Sequence, residues 1–321
     1  MRILGLDVGE KRIGVALSDP LGIMAGALTV IERKADDAAL KQIVDLAREN
    51  EVERIVVGEI DDRTDWSSAL AGCSAVVHLA NLAHTPPSIA ELERVNVAGT
   101  LRLAQQAAER GVEHLVFLSS IKAVGDESSD RPLREDDPPR PRDPYGRAKL
   151  DAERGLERIS SRTGLRVTVL RPPLVYGPGV KGNFATLLRA VARSYPLPLA
   201  SIENRRSLIY VGNLVDAILR CTAPSDSRWR VYHVSDGQPV STPDLVRVLG
   251  SALGRAARML PCPPALLELF ATIVGRGASA RSLTRSLALD DSALRAALGW
   301  QPPYSFEEGI RSTAQEDNVR P

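Results

Sequence analysis

The sequence predicts an α/β protein. A mostly parallel sheet carries helices on both faces, a β-β-β-α-β opening makes the sheet mixed, and a smaller lobe follows at the C-terminal end. Three observations predict this. Short apolar runs at 55–57, 75–80, 114–119 and 166–171 have strand length and alternate with segments of helical periodicity. The first 31 residues instead place three strand-like runs in succession. Beyond residue 175 the pattern becomes mostly helical.

Taken in order, residues 2–7, 12–18 and 24–31 read as strands, and Leu40, Ile43, Val44 and Ala47 recur at helical spacing before the buried strand at 55–57. A strand at 75–80 and a helix at about 90–110 follow, then a strand at 114–119. The polar, Pro-rich stretch 126–144 reads as an ordered connection or a lid. A helix begins at Tyr145, and 166–171 is the next strand. Further helices are expected near 183–194, 212–222, 242–254, 264–275 and 290–298. These elements suggest segments 1–58, 59–178 and 179–321.

A composition of 44% hydrophobic and 25% charged residues fits a soluble protein with a sizeable core. The net charge is +1, and residues 1–58 carry 8 Lys/Arg against 10 Asp/Glu, so a nucleic-acid partner is not expected. The apolar stretch 265–274 contains Glu268 and is too short to span a bilayer; it reads as a buried helix or a subunit contact, and no membrane partner is expected. Cys73, Cys221 and Cys262 lack metal-type spacing and read as buried free thiols, which fits the cytoplasm. His78, His84, His114 and His233 do not cluster as ligands, and His78 reads as a hydrogen-bonded core residue.

Chemistry concentrates at Ser120, Tyr145 and Lys149. Tyr145 and Lys149 stand four apart on one helical face, where an ammonium favours the phenolate and makes Tyr145 a candidate general base. Ser120, at a strand end, can donate to the same substrate oxygen.

Several motifs join this set: Val76-Val-His-Leu-Ala80, Asn96-Val-Ala-Gly-Thr100, Phe117-Leu-Ser-Ser120, Asp143-Pro-Tyr-Gly-Arg-Ala-Lys149, Arg171-Pro-Pro-Leu-Val-Tyr-Gly-Pro178, the run 204–216 and Val234-Ser-Asp-Gly237. With them, residues of about 56–316 resemble the extended short-chain dehydrogenase/reductases, the NAD-dependent nucleotide-sugar epimerase/dehydratase family with a Rossmann-like sheet. The resemblance implies Tyr145 as acid/base, Lys149 on the nicotinamide ribose and lowering the Tyr145 pKa, and Ser120 on the sugar. It implies an NAD or NADP site that includes Glu59, Ile60, Leu79, Ala80, Asn96, Tyr145, Lys149 and Pro172. Asn183 is implied near the substrate phosphates, and Arg206 on the diphosphate, where a guanidinium offers a bidentate fork. A UDP-sugar is the implied partner, closest to the UDP-N-acetyl-hexosamine type, through epimerisation or 4-keto reduction. Homodimers would form through the helices near 90–110 and 145–162, with the oligomeric state left open.

The opening of the chain departs from that family. A strand, a G-x-x-G-x-x-G turn and a helix are required to cradle the pyrophosphate, whereas Gly5, Gly9 and Gly14 have another spacing and a strand pattern resumes at Arg12. The run Leu4-Gly-Leu-Asp-Val-Gly-Glu-Lys-Arg-Ile-Gly-Val-Ala-Leu-Ser-Asp19, with Glu53-Arg-Ile-Val-Val-Gly58, is similar to the YqgF/RuvX family of RNase H-like proteins, described as Holliday-junction resolvase-like or precursor-rRNA nucleases. That resemblance implies Asp7 as a first Mg²⁺ ligand, but the further carboxylates a two-metal site needs fall beyond the point where the chain changes character. The sequence thus reads as a hybrid joined near 55–58. Three readings stay open: an epimerase or reductase with activity reduced or lost, a non-catalytic hybrid, and a Mg²⁺-dependent nuclease. Strand 3–7 is expected beside 75–79, in the place of a first Rossmann strand.

Overall fold

The computed structural model describes residues 61–67, 69–82, 87–223 and 226–317, together with the backbone of four strands before them, at 2–8, 12–18, 25–32 and 52–57. The expected helix around 40–47, and Glu59, Ile60 and His84, lie outside the described residues.

One eight-stranded mixed sheet forms. Strands β1 (Arg2–Val8), β2 (Arg12–Ser18) and β3 (Ala25–Glu32) are an antiparallel meander, with Asp7 opposite Gly14. Strands β4 (Val52–Val57), β5 (Ala75–His78), β6 (His114–Leu118) and β7 (Arg166–Arg171) run parallel, and β10 (Trp229–His233) closes the far edge. One expectation is corrected. β4, not β1, lies beside β5, pairing Ile55 with Val76, while β1 pairs with the other edge of β4. The hairpin commits one edge of β1 to β2, so a single edge remains. β4 has two apolar-run edges suited to a central parallel position and takes both neighbours.

Two compact units can be distinguished, interleaved along the chain. The first comprises 1–125, 138–171 and 218–232 and contains the sheet. Its core packs Val76, Leu115, Phe117 and Val167 of the strands against Leu103 and Leu156 of the helices. The expected helix at 90–110 is three pieces: α1 (Ile89–Leu92), a π-helical stretch (Glu93–Gly99) and α2 (Thr100–Glu109). Ser88 and Glu91 form a reciprocal capping box at its start. Helix α3 (Pro144–Thr163) is capped by Asp143, carries Pro at its first position and stops at Gly164, whose φ of 80° suits glycine.

The second unit comprises 126–137, 172–217 and 233–321. It holds the two-stranded pair β8 (Leu174–Tyr176) and β9 (Leu208–Tyr210) and helices α4 (Gly182–Ala192), α6 (Thr242–Ala252), α7 (Pro264–Ile273), α8 (Gly277–Thr284), α9 (Ser292–Leu298) and α10 (Phe306–Asp317). Helix α5 (Val211–Cys221) begins in this unit and ends in the first. Asp236 organises the interior of the second unit, accepting from the Tyr210 N–H, from Asn213 at 2.7 Å and from Tyr176 at 2.7 Å. Helices α8 and α10 were not expected from periodicity. Of the two readings of the 265–274 stretch, the buried helix is corrected: none of the residues of α7 is buried. Of the thiols, Cys221 is buried, while Cys73 and Cys262 are half-buried; all three are free.

Candidate active site

The carboxyl ends of β5, β6 and β7 deliver the site in the first unit, at the edge where open parallel sheets bind ligands. Ser120 follows β6, caps a 3-10 turn over Ile121–Ala123 and accepts from the Lys122 N–H at 3.2 Å. Tyr145 stands in the first turn of α3. Asp143 fixes that turn by accepting from the Gly146 N–H at 2.7 Å and from the Lys122 ammonium at 2.5 Å. Burial would raise the Asp143 carboxyl, but the bonds from Lys122 and Gly146 outweigh it and hold it below the usual carboxylate range. The Tyr145 hydroxyl hydrogen-bonds Ser120 and Asn81. Burial pushes it up to about 12, the two hydrogen bonds pull it down, and the nearby Asp143 charge adds to the rise.

Lys149 is 1% exposed and donates to the Leu118 carbonyl at 2.9 Å, with its ammonium 4.7 Å from the Phe117 ring centre and 6.0 Å from that of Tyr145. Burial lowers it to about 7, and Glu153 pulls it upward. Desolvation dominates both groups, and Ser120 and Asn81 are the hydrogen-bonding groups that pull Tyr145 towards the phenolate.

Asn81 was not anticipated as a site residue. Its Oδ1 is buried without a hydrogen-bond partner among the described residues. Polar clamps hold it on either side. The Ala80 N–H donates to His78 Nδ1 at 3.2 Å, so the other ring nitrogen carries the proton and donates to Thr100 Oγ1 at 2.7 Å, which donates to the Asn96 carbonyl at 2.9 Å. The Asn96 side chain accepts from the Leu82 N–H at 2.9 Å and donates to the Leu82 carbonyl at 3.4 Å. His78 is thus the buried, hydrogen-bonded residue expected, with its pKa lowered to about 3 by burial and by the Lys149 charge. Asn96 lies in the π-helical stretch, a distortion that recurs at functional sites. The resemblance implies Asn96 both near the sheet's core hydrogen bonds and in the cofactor site; here its amide is engaged by the Leu82 backbone, next to buried Ala80 and half-buried Leu79.

Behind Lys149 lies a second unanticipated group. Glu153 accepts from Arg171 through both oxygens, at 3.1 and 2.6 Å, and from Ser119 Oγ, and all three residues are buried. A buried pair of this kind is costly to break, about 3–5 kcal/mol when one partner is removed. The signal was in the sequence: Tyr145, Lys149 and Glu153 are spaced i, i+4, i+8 on one face of α3.

Several of the remaining assigned residues fall in the second unit. Pro172 is buried and belongs to the second unit. So does Asn183, exposed on α4, which donates to Ser282 at 3.3 Å and accepts from Ser279 at 3.4 Å. Arg206 pairs by its backbone with Val240, donates Nη1 to the Arg285 carbonyl at 2.9 Å, and has its pKa lowered by burial. Asp7 is a β1 residue. Among the described residues, no group of three or more His, Cys, Asp or Glu is placed to hold a metal ion.

Comparisons with known proteins fit this geometry. A UDP-glucose 4-epimerase of Vibrio cholerae is 39% identical over 266 residues, 81% of each chain. A UDP-glucose 4-epimerase of Mycolicibacterium smegmatis is 30% identical over 227 residues, 69% of this chain and 67% of its own. Among solved structures, MoeE5 in complex with UDP-glucuronic acid and NAD superposes with a TM-score of 0.67 at 25% identity, over 87% of this chain and 95% of its own. The model of the NAD dependent epimerase/dehydratase family matches residues 13–234, a span that begins inside β2 and takes in the whole Ser120, Tyr145 and Lys149 set. The chain belongs to the NAD dependent epimerase/dehydratase family.

Proposed function

We propose that this protein acts on a nucleotide sugar of the UDP-hexose class, N-acetylated members included, by NAD(P)-dependent epimerisation at C4. The observation that carries the reading is the gathering of Ser120, Tyr145 and Lys149 at the carboxyl end of β6, with Asn81 as a further donor to the Tyr145 hydroxyl. The relatives' own activities support the substrate class.

The residues fit the nicotinamide end of a dinucleotide. The unpartnered Asn81 Oδ1 offers a buried acceptor, and the Lys149 ammonium a buried donor. Bound there, the dinucleotide would take a hydride from the sugar and return it. Tyr145 takes the proton of the C4 hydroxyl and later gives it back to the keto oxygen, while Ser120 donates to that oxygen and holds it in line. Lys149, near pH 7 close to its own midpoint, supplies positive charge that steadies the phenolate once Tyr145 has lost its proton. Reduction of a 4-keto sugar uses the same residues. The residue roles implied for Asn183 and Arg206, phosphate and diphosphate binding, belong to this proposal.

The pyrophosphate end supports a weaker enzyme. β1 pairs antiparallel with β2, so among the described residues β1 is followed by a strand, where a strand–turn–helix would present backbone N–H groups to a pyrophosphate. The β1–β2–β3 meander and the run Leu4–Asp19 support an RNase H-like origin for residues 1–58, hence the competing reading of a non-catalytic hybrid. The Mg²⁺-dependent nuclease has only that meander behind it.

The test is conversion of UDP-glucose and UDP-N-acetylglucosamine to their C4 epimers with added NAD⁺. Tyr145→Phe is expected to lower turnover by about 10²–10⁴-fold. Turnover equal in the variant would remove Tyr145 from the mechanism.

A further inference from the structure

The second unit displays an apolar face that its own core leaves uncovered. On α7, Leu266, Leu269, Phe270 and Ile273 are 46%, 56%, 62% and 72% exposed. Their i, i+3, i+4, i+7 spacing puts them on one stripe roughly 100° wide, the pattern a helix normally turns inward. Leu260 before the helix and Val274 after it, 52% and 68% exposed, lengthen the patch. The other side of α7 is engaged. Leu267 packs on the unit's core, and Glu268 accepts from Thr284 at 2.5 Å and from Arg285 at 3.2 Å. The helix is therefore anchored with its stripe outward. Scattered surface leucines are ordinary; six large apolar residues along one short segment are not.

Charge indicates what covers the face. Residues 254–285 contain five arginines and one glutamate, a net of +4 in a chain whose total is +1. Arg255, Arg258, Arg276 and Arg281 are exposed, while Arg285 is taken up by Glu268 and by Glu127 from outside the segment, so four exposed arginines carry the positive charge. An apolar stripe with a cationic surround is complementary to anionic headgroups above acyl chains. A second copy of the chain would bring the same positive charge against itself. No helix among the described residues is long and apolar enough to cross a membrane, so the mode is one of lying in the headgroup plane. The sequence-based expectation of no membrane partner rested on the lack of a spanning segment, which a docked helix does not need.

We propose that α7 and its arginines form a docking face for an anionic lipid surface. This is independent of the chemistry assigned to Tyr145.

Co-sedimentation of the full chain with vesicles tests it, comparing phosphatidylcholine alone with phosphatidylcholine containing phosphatidylglycerol, at low and high salt. The expected result is binding to the anionic vesicles only, released by salt. Leu269→Ser with Phe270→Ser should weaken it at least about tenfold, and Arg258→Glu or Arg276→Glu by roughly fivefold or more each. All four positions are exposed, and circular dichroism confirms the fold of each variant. The proposal is overturned if the wild type stays in the supernatant with anionic vesicles, or if Leu269→Ser/Phe270→Ser binds as well as wild type. It is equally overturned if ultracentrifugation shows a wild-type dimer that this double variant dissociates while vesicles recruit neither; the face is then a subunit contact.

Discussion

At the scale of residues, the site is governed by what burial does to titratable groups and by which neighbours offset it. Tyr145 and Lys149 are both moved towards their neutral forms, to about 12 and about 7. The side chain that offsets this from outside the expected triad is Asn81. Asn81→Ala removes one donor to the Tyr145 oxygen, so the phenol rises further and the acidic, rising limb of the kcat/KM profile, set by a base that must be deprotonated, moves to higher pH, with turnover at pH 7 down roughly threefold to tenfold. A profile that does not move would reduce Asn81 to a packing residue. His78 gives a second prediction, in stability. Its folded pKa of about 3 lies below the ordinary 6.5. As pH falls through 6.5 the unfolded chain binds a proton that the folded chain does not, so this residue's contribution is intact above 6.5 and declines by about 1.4 kcal/mol per pH unit below it. Urea titrations between pH 6.5 and 4.5 should show a shallower loss of stability for His78→Gln than for the wild type. Identical slopes would mean that His78 protonates in the fold as freely as in the open chain.

At the scale of elements, α3 and the 3-10 turn meet with no space to spare. A Cβ on Gly146 would press into the backbone carbonyl oxygen of Lys122 and stand 3.2 Å from Pro141 Cβ. Gly146→Ala is expected to cost about 1–3 kcal/mol, seen as a lower denaturation midpoint, and to reduce turnover because Tyr145 is the adjoining residue. Unchanged stability would show that the turn at Ile121–Ala123 yields without strain. The same logic separates what was readable in α3 from what was not. Pro144, the i, i+4 spacing and Gly164 mark the helix and the shared face of Tyr145 and Lys149 in one dimension. The partners of Glu153, namely Ser119 and Arg171, come from 34 and 18 residues away and depend on two strands stacking beside the helix. The break of the 89–109 segment into a π-helical stretch likewise has no signature in apolar periodicity; within it the Asn96 side chain accepts from the Leu82 N–H, a partner 14 residues away.

At the scale of the whole molecule, one question is whether a sheet that opens with an antiparallel β1–β2 pair binds a dinucleotide. Ser120, Tyr145 and Lys149, proposed for the nicotinamide end, are gathered, whereas β1 and β2 pair antiparallel where the family's pyrophosphate site needs a helix N-terminus. Calorimetric titration of the folded protein with NAD⁺ and NADP⁺ is expected to show no micromolar binding. Micromolar binding would mean that other backbone N–H groups have rebuilt the pyrophosphate site, and full epimerase activity would then be the expectation.

The sequence by itself determined the alternation of strands and helices from residue 75 to 171, the Ser120, Tyr145 and Lys149 set and the family, because these rest on local periodicity and fixed spacings. It also determined that the opening is three strands, which the single mixed sheet confirms. Only the tertiary structure decided the order of strands across that sheet. β4 rather than β1 meets β5 because pairing is a contest for edges, and edges exist only once the hairpin has formed. Tertiary structure also decided the protonation balance of the site, since desolvation depends on what surrounds a group in space. It decided the outward stripe of α7 as well, for the same apolar spacing serves a core or a surface, and only packing shows which.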